Sequence, residues 1–266
     1  MSIAIVTGAS SGIGKEFAKG LVKRGIDGIW LIARREDRLV SLGEELGISY
    51  KVIGADLCSA EGIDRLKTAL REERPKVKYL INAAGFGGFG AFDEISEEDT
   101  ARMIDLNAKA LTLITHLTVP YMERGGRIVQ LGSGSAFTPL PYFNVYAATK
   151  AYVVHYTKAL NYELKRYGVR ATCFCPGWVH TEFIDKAKSG EGKTMPEPEK
   201  LRPLLNCERV VKKALRAMDK GRAVYRIGLF TKMQHLLYKL LPTSLLTKGW
   251  LLMSFDKKEL KQRDRK

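Results

Sequence analysis

Two residues that could transfer protons, Tyr146 and Lys150, lie four positions apart in the segment YAATK. The residues that follow, as far as Tyr167, have a helical pattern, and on a helix this spacing brings the phenol and the ammonium to one face. Tyrosine titrates near pH ~10 in water, and a neighbouring cation lowers its pKa by favouring the phenolate. The pair is therefore suited to general acid–base chemistry near neutral pH. The same spacing also fits an interfacial tyrosine beside a solvated lysine, so the rest of the chain must decide between these interpretations.

The elements that would position this pair follow from the alternation of apolar strand-like runs with helical patterns, which is typical of a parallel sheet with helices on both faces. We expect strands at residues 3–7, 28–33, 49–54, 79–82, 127–133 and 169–175, with a weaker strand at 223–227. We expect helices near residues 13–24, 35–46, 61–71, 97–121, 145–167 and 208–218. Since no repeat or low-complexity linker separates these elements, the sequence predicts one α/β domain over residues 1–228.

Two segments differ from this alternating pattern. Residues 185–203 are rich in Lys, Glu, Gly and Pro, which predicts a mobile substrate lid over about 183–205. Residues 229–266 predict an extension of two amphipathic helices, at 229–241 and 245–255 around Pro242, followed by a basic tail. These helices are shorter than the ~20 apolar residues of a membrane span. They could bind an anionic membrane surface or cover a lipophilic pocket, but we favour docking against the core or a sister subunit.

A glycine-rich segment, TGASSGIG at residues 7–14, joins the first predicted strand to the first predicted helix. Small residues allow the backbone to approach a pyrophosphate closely, and a helix N-terminus offers unpaired N–H groups. The spacing is Gly-x-x-x-Gly-x-Gly and so departs from the general dinucleotide fingerprint. A plain tight turn needs fewer glycines, so we interpret the loop as a phosphate site. Its candidate contacts are Gly8, Ser10, Ser11, Gly12, Ile13 and Gly14.

The end of the second predicted strand indicates which dinucleotide the loop would hold. The strand ends at Ala33 and is followed by Arg34 and Arg35, where a protein that uses NAD normally places a carboxylate. Guanidinium groups bind a 2′-phosphate through charge-assisted hydrogen bonds, and this predicts NADP(H) as the cofactor. The alternative is that the arginines only begin a solvated helix, and this alternative carries more weight for Arg35 than for Arg34.

Together with these features, several further motifs resemble the classical short-chain dehydrogenase/reductase family over residues 3–227. They are Asn82-Ala83-Ala84-Gly85, Asn107, Ser133, Tyr146-x-x-x-Lys150 and Pro176-Gly177-Trp178-Val179-His180-Thr181. The resemblance implies a single doubly wound Rossmann-type domain with a mostly parallel seven-stranded sheet. It also implies an enzyme that transfers a hydride between a nicotinamide and a carbonyl or alcohol carbon, without a metal.

The resemblance assigns catalytic roles to four residues. Ser133, thirteen residues before Tyr146, would orient and polarise the substrate oxygen, although Ser135 is a rival by residue type. Tyr146 would exchange the proton, and Lys150 would bind the nicotinamide ribose and lower the Tyr146 pKa. Asn107 would kink its helix and help to hold a water near Lys150, unless it is an ordinary polar helix residue.

The resemblance also implies further cofactor contacts along the carboxyl edge of the sheet. Asn82, Ala83 and Gly85 would stabilise the sheet and lie along the adenosine ribose. Asp56 and Leu57 would lie near the adenine, with a helix N-cap as the alternative for Asp56. The contacts expected near the nicotinamide are Pro176, Gly177, Val179 and Thr181.

Composition bounds the partners and the location. Of the net charge of +15, residues 207–266 contribute 16 Lys and Arg against 5 Asp and Glu. This basic excess lies in an apolar-rich segment without a nucleic-acid motif, so we expect no nucleic-acid partner. The four cysteines include a Cys-x-Cys but no paired CxxC, which favours free thiols over a metal site or a disulfide. No leader-like segment opens the sequence, so we expect a cytoplasmic protein with the option of peripheral membrane contact.

The substrate is the least specified part of the prediction. Aromatic and apolar residues in the segments 86–90 and 137–143, at Trp178 and in the lid favour a lipophilic carbonyl or alcohol. We expect reduction of a ketone of the steroid, fatty acyl or aromatic class, by a homo-oligomer such as a dimer or tetramer. The alternative is a non-catalytic nucleotide-sensing or membrane-associated interaction protein on the same fold. Loss of an active-site residue would favour that alternative, and Ser133, Tyr146 and Lys150 are all present.

Overall fold

A seven-stranded parallel sheet forms the centre of the computed structural model, which describes residues 1–183, 196 and 204–255. Its strands are β1 (Ser2–Thr7), β2 (Gly28–Ala33), β3 (Ser49–Gly54), β4 (Lys76–Asn82), β5 (Met122–Leu131), β6 (Arg170–Cys175) and β7 (Val224–Arg226). Their order in the sheet is β3-β2-β1-β4-β5-β6-β7, with every pair parallel. The order reverses between β1 and β4, and such a switch point opens a crevice at the carboxyl edge of the sheet.

Helices cover both faces of the sheet. They are α1 (Gly12–Val22), α2 (Glu36–Leu46), α3 (Ala60–Glu73), α4 (Glu97–Ile104), α5 (Leu111–Thr118), α6 (Asn144–Glu163) and α7 (Cys207–Asp219). Along β1, Ala4 and Val6 pack into a core beneath α1, α2 and α7, whereas Ile3 and Ile5 pack into a core beneath α3 and α5. Both faces of the strand are buried, as expected for a parallel sheet. The doubly wound α/β fold is therefore confirmed.

The predicted boundaries that differ most from the structure belong to one strand and one helix. The strand predicted at 127–133 is β5, which begins at Met122 and ends at Leu131, so Ser133 lies beyond it. The single helix predicted at 97–121 is interrupted, because a π-helical segment, Asp105–Ala110, separates α4 from α5. A 3₁₀ turn, Val119–Tyr121, then leads into β5.

The C-terminal extension forms two helices, α8 (Leu229–Leu240) and α9 (Thr243–Ser254), separated near Pro242 as predicted. The indole nitrogen of Trp250 donates a hydrogen bond to the carbonyl oxygen of Pro141 at 3.0 Å, and Thr231 is buried. These contacts attach the extension to the core. None of the described helices is long and apolar enough to cross a membrane. Most of the lid predicted at 183–205 lies outside the described residues, and the division of the chain at residue 228 stays a prediction.

Candidate active site

A cleft of about 530 Å³ lies at the carboxyl edge of the sheet, where the loops after β1 and β4 separate. Almost every site residue predicted from the sequence lines this cleft. These residues are Gly8, Ser10, Ser11, Gly12, Ile13, Gly14, Arg34, Arg35, Asp56, Leu57, Ala83, Gly85, Ser133, Tyr146, Lys150, Pro176, Gly177, Val179 and Thr181. Asn82 and Asn107 are buried outside its lining.

The glycine loop leaves the start of α1 accessible from the cleft. A Cβ atom on Gly14 would lie 2.2 Å from the carbonyl oxygen of Gly8, so the loop and the first turn of α1 can approach this closely only with glycine there. Ser11 occupies the N-cap position of α1, and its side chain makes no capping hydrogen bond. The first N–H groups of α1 therefore have no side-chain cap and can bind a phosphate, which also gains from the helix dipole.

The two arginines after β2 reach the same loop. Arg34 lines the cleft, and the Arg35 guanidinium donates hydrogen bonds to the hydroxyl oxygens of Ser10 at 3.1 Å and Ser11 at 3.0 Å. An arginine that only began a solvated helix would not need these contacts. The geometry therefore supports Arg35, the weaker sequence candidate, at least as well as Arg34.

A carboxylate shares the Arg35 guanidinium with the glycine loop. Glu182 accepts hydrogen bonds from Arg38 at 2.7 Å and from Arg35 at 3.0 Å. These hydrogen bonds, that from Arg38 first, lower the pKa of the Glu182 carboxyl below its ordinary value. The Glu182 carboxylate therefore neutralises part of the positive charge of Arg35 that would otherwise face a 2′-phosphate.

The carboxylate of Asp56 also lies at the cleft, paired with a residue that the sequence did not nominate. Its Oδ2 accepts a hydrogen bond from Arg102 at 2.8 Å, and its Oδ1 accepts one from the Cys58 amide at 3.1 Å. Partial burial acts to raise the pKa of Asp56, but the hydrogen bonds from Arg102 and Cys58 outweigh it and leave this pKa below its ordinary value. The N-cap alternative for Asp56 is wrong, because Ser59 caps α3.

Ser133, Tyr146 and Lys150 converge on one side of the cleft. Tyr146 and Lys150 lie near the start of α6 and are 7% and 2% exposed. The Lys150 ammonium donates a hydrogen bond to the Leu131 carbonyl oxygen at 2.7 Å and lies 5.5 Å from the centre of the Tyr146 ring. The Ser133 hydroxyl accepts a hydrogen bond from the Ser135 amide at 3.2 Å and also interacts with Tyr146. This interaction with Tyr146 favours Ser133 over its rival Ser135, whose buried hydroxyl has no hydrogen-bond partner among the described residues.

Burial dominates the electrostatics of the tyrosine–lysine pair. It raises the pKa of Tyr146 well above its ordinary value, although the hydrogen bond with Ser133 acts to lower it. It also lowers the pKa of Lys150 from 10.5 to about 8. Both shifts arise because a low-polarity environment disfavours the charged form of each group. Burial therefore outweighs the lowering of the Tyr146 pKa that the spacing predicts.

The comparison with known sequences decides the family. A family model described as "short chain dehydrogenase" matches residues 2–192. This chain belongs to the short-chain dehydrogenase family. It is an oxidoreductase of that family, which confirms the predicted resemblance and enzyme class.

Individual relatives of this short-chain dehydrogenase cover most of its length. An uncharacterized oxidoreductase from Staphylococcus epidermidis is 35% identical over 195 residues, which are 73% of this chain and 84% of that protein. Sulfoacetaldehyde reductase 2 from Chromohalobacter salexigens is 36% identical over 187 residues, covering 68% and 74% of the two chains. A solved structure of a short-chain dehydrogenase from Sphingobium yanoikuyae in complex with NADPH superposes with a TM-score of 0.76 at 28% identity, covering 89% and 92%.

Asn107 does not line the cleft of this dehydrogenase but positions residues beside it. It is fully buried in the π-helical segment, where its Oδ1 accepts a hydrogen bond from the Phe86 amide at 3.1 Å. Its Nδ2 donates to the Phe86 carbonyl oxygen at 2.8 Å and to the Thr149 hydroxyl at 3.1 Å. The side chain thereby holds the segment after β4 against α6, one residue from Lys150, which an ordinary solvated helix residue would not do.

Asn82 has a structural position within the dehydrogenase. Its amide nitrogen donates hydrogen bonds to the Thr115 hydroxyl and the Gln130 side-chain oxygen, both at 3.0 Å. These contacts join β4 to β5 and α5. Only its neighbours Ala83 and Gly85 line the cleft, so the structural part of the expected role is the part that the geometry supports.

The other side of the dehydrogenase cleft is lined by aromatic rings. Phe86, Trp178 and Phe183 line the cleft, and the Phe183 ring lies 5.4 Å from the Tyr146 ring, measured between ring centres. Phe89 and Phe143 are buried outside this lining, where they stack at 4.1 Å, and Phe143 lies 4.4 Å from Tyr146. Trp250 of α9 also lines the cleft, and so does Thr231 of α8. Sequence reasoning named neither as a site residue, because only the fold of the extension brings them there.

All four cysteines are free, and among the described residues no cluster of three or more His, Cys, Asp or Glu could hold a metal ion.

Proposed function

We propose that this dehydrogenase reduces a lipophilic ketone to its secondary alcohol with NADPH. The observation that carries the proposal is the position of Tyr146. Its ring is buried among aromatic side chains, in the same cleft as the glycine loop and two arginines. A proton donor, an apolar substrate wall and an anion site therefore face one space.

The aromatic wall favours a neutral substrate. The side chains clustered with Tyr146 are hydrophobic, and those that also line the cleft include Phe86, Leu140, Trp178, Phe183 and Trp250. A carboxylate or sulfonate placed against this wall would lose hydration without gaining a cationic partner from it. Aromatic, steroid or fatty acyl ketones would instead be stabilised by contact with the rings.

The residues of the site provide the rest of the chemistry. NADPH, when bound, supplies the hydride. The Ser133 hydroxyl donates a hydrogen bond to the ketone oxygen and holds it beside Tyr146. Tyr146 then gives its phenolic proton to that oxygen as negative charge develops there. The Lys150 ammonium stabilises the resulting phenolate through space, so its loss by deprotonation should slow the step.

Arg34 and Arg35 support the choice of NADP(H). Both arginines line the cleft where β2 ends, and residues 33–35 supply no carboxylate for a ribose 2′-hydroxyl. A 2′-phosphate would gain two cations there and would compete with Glu182 for Arg35. The glycine loop and the uncapped start of α1 fit the pyrophosphate.

A screen that follows nicotinamide absorbance tests the proposal. Each aryl or alicyclic ketone is paired with a matched analogue that carries a carboxylate, and NADPH is compared with NADH. We expect the neutral member to be reduced faster, and Tyr146→Phe to lose about 100-fold or more of the rate. NADPH binding and the unfolding midpoint of Tyr146→Phe should stay close to those of the wild-type enzyme. Equal rates for the charged analogues, or normal turnover by Tyr146→Phe, would show that the proposed site is wrong.

A further inference from the structure

The apolar side of α8 faces solvent. Met233, Leu236, Leu237, Leu240 and Leu241 recur with the helical period, and each is between 37 and 70% exposed. An amphipathic helix of a globular protein normally directs such a stripe toward the core. This outward stripe is therefore unexplained by the packing of the described residues.

The helix α9 extends the same apolar surface. Leu245, Leu252 and Met253 are each more than half exposed, and Tyr238 of α8 is 45% exposed. Residues 233–253 thus hold nine of the nineteen exposed large hydrophobic side chains found in the described chain. A concentration of this kind marks an interaction surface, whereas scattered single residues need no partner.

The chain segment that carries this surface is basic. Residues 220–255 contain no Asp or Glu, and their six cations are Lys220, Arg222, Arg226, Lys232, Lys239 and Lys248. A groove of about 510 Å³ beside the start of α8 is lined by Lys213, Arg216, Lys220, Arg222, Arg226 and Lys232. Within the described ranges, no ion pair neutralises any of these groove residues. The groove is therefore suited to anionic groups.

We propose that α8, α9 and the basic groove form one surface that docks on an anionic lipid bilayer. The stripe would enter the boundary between headgroups and acyl chains, and the groove and the flanking lysines would face the lipid phosphates. A second copy of the chain fits this surface less well, because six cations would meet six cations. A nucleic acid would match the charge but would leave the apolar stripe exposed.

The position of the surface links docking to the proposed substrate. Thr231 and Trp250, on the same two helices, line the active-site cleft. A lipophilic ketone dissolved in the bilayer would therefore approach the cleft beside the docked helices. This last step rests on the proposed function, whereas docking itself depends only on the surface.

Vesicle co-sedimentation of the full-length protein tests the proposal. We expect binding to phosphatidylcholine vesicles that contain phosphatidylserine, weak binding to phosphatidylcholine alone, and loss of binding as salt rises. Lys232→Gln/Lys239→Gln/Lys248→Gln should bind about 100-fold more weakly, since each lysine near an anionic surface contributes about fivefold. Leu236→Gln/Leu240→Gln keeps the charge and should bind about tenfold more weakly or worse. Tyr162→Gln, at an exposed position on α6, is the matched control and should bind normally.

Other outcomes would overturn docking on a bilayer. Normal vesicle binding by the Leu236→Gln/Leu240→Gln variant would show that the apolar stripe does not enter the membrane. Dissociation of a dimer by the same variant in sedimentation velocity would assign the stripe to a second copy of the chain. Tighter binding to duplex DNA than to vesicles would assign the basic groove to nucleic acid. Because every variant should keep its thermal midpoint and its reductase rate with a water-soluble ketone, failed docking is separable from failed catalysis.

Discussion

Replacing Lys150 by methionine removes a buried ammonium while keeping an unbranched side chain of similar length. In the wild-type enzyme Lys150 is 2% exposed, and its ammonium donates a hydrogen bond to the Leu131 carbonyl oxygen. Burial lowers the pKa of Lys150 from 10.5 to about 8. Below pH ~8 the charged group is therefore held in a site that disfavours it.

The free-energy cost of burying the charged Lys150 side chain follows from proton linkage. A decrease in pKa from 10.5 to about 8 corresponds to about 3 kcal/mol, at about 1.4 kcal/mol per pKa unit. Between about pH 8 and pH 10.5 the unfolded chain binds more protons at this residue than the folded chain does, so the stability of the wild-type enzyme rises with pH. Loss of the hydrogen bond to Leu131 costs Lys150→Met about 1–3 kcal/mol at every pH. The pH dependence therefore separates the burial of the charge from the lost hydrogen bond.

Urea unfolding at about pH 7 and about pH 10 measures this difference. We expect the free energy of unfolding of the wild-type enzyme, relative to Lys150→Met, to rise by about 2–3 kcal/mol over this range. Lys158→Met removes an exposed lysine from the same helix and controls for the loss of a positive charge. If the difference between wild type and Lys150→Met stays constant with pH, the Lys150 pKa is not lowered and the reasoning is refuted.

Further substitutions test the anion site and the close packing of the glycine loop. Arg35→Ala should weaken NADPH binding about tenfold and NADH binding less, whereas Glu182→Gln should tighten NADPH binding by up to about fivefold. Fluorescence titration with both nucleotides measures these changes in affinity. Equal changes in the affinity for NADH would exclude a 2′-phosphate contact. Gly14→Ala should lower the free energy of unfolding by about 1–3 kcal/mol, because its Cβ would lie 2.2 Å from the Gly8 carbonyl oxygen. Gly249→Ala adds a Cβ that meets no atom within 4 Å in α9 and should raise stability by about 0.5–1 kcal/mol; similar urea midpoints for the two variants would contradict the packing described.

The parts of the site that sequence reasoning located depend on local patterns. The glycine loop joins a strand to a helix, so residues 7–14 could be placed at the carboxyl edge without knowledge of distant contacts. Tyr146 and Lys150 could be placed on one helix face from their spacing alone. The predicted end of β5 at Ser133 is wrong, because β5 ends at Leu131 and the next residues, Gly132-Ser133-Gly134, are of the turn-forming type.

Contacts between distant residues were not predictable in this way. Arg35 and Glu182 are 147 positions apart, and Asp56 and Arg102 are 46 apart, yet each pair forms a hydrogen bond at the cleft. Nothing in either local segment specifies its partner. The π-helical segment around Asn107 likewise lies inside a continuous helical pattern, and its side chain is satisfied by the backbone of Phe86.

The sequence by itself determined the fold class, the family and the order of the groups that can carry out hydride-transfer chemistry, because periodicity and motif spacing are local properties. Only the tertiary structure decided the directions in which the pKa values of Tyr146 and Lys150 shift. The Tyr146–Lys150 spacing predicts a phenol with a lowered pKa, but burial, which depends on every neighbouring element, shifts both groups toward their neutral forms. The tertiary structure also decided that the apolar stripe of α8 faces outward, since periodicity shows that a helix has two faces but does not show which one meets the core.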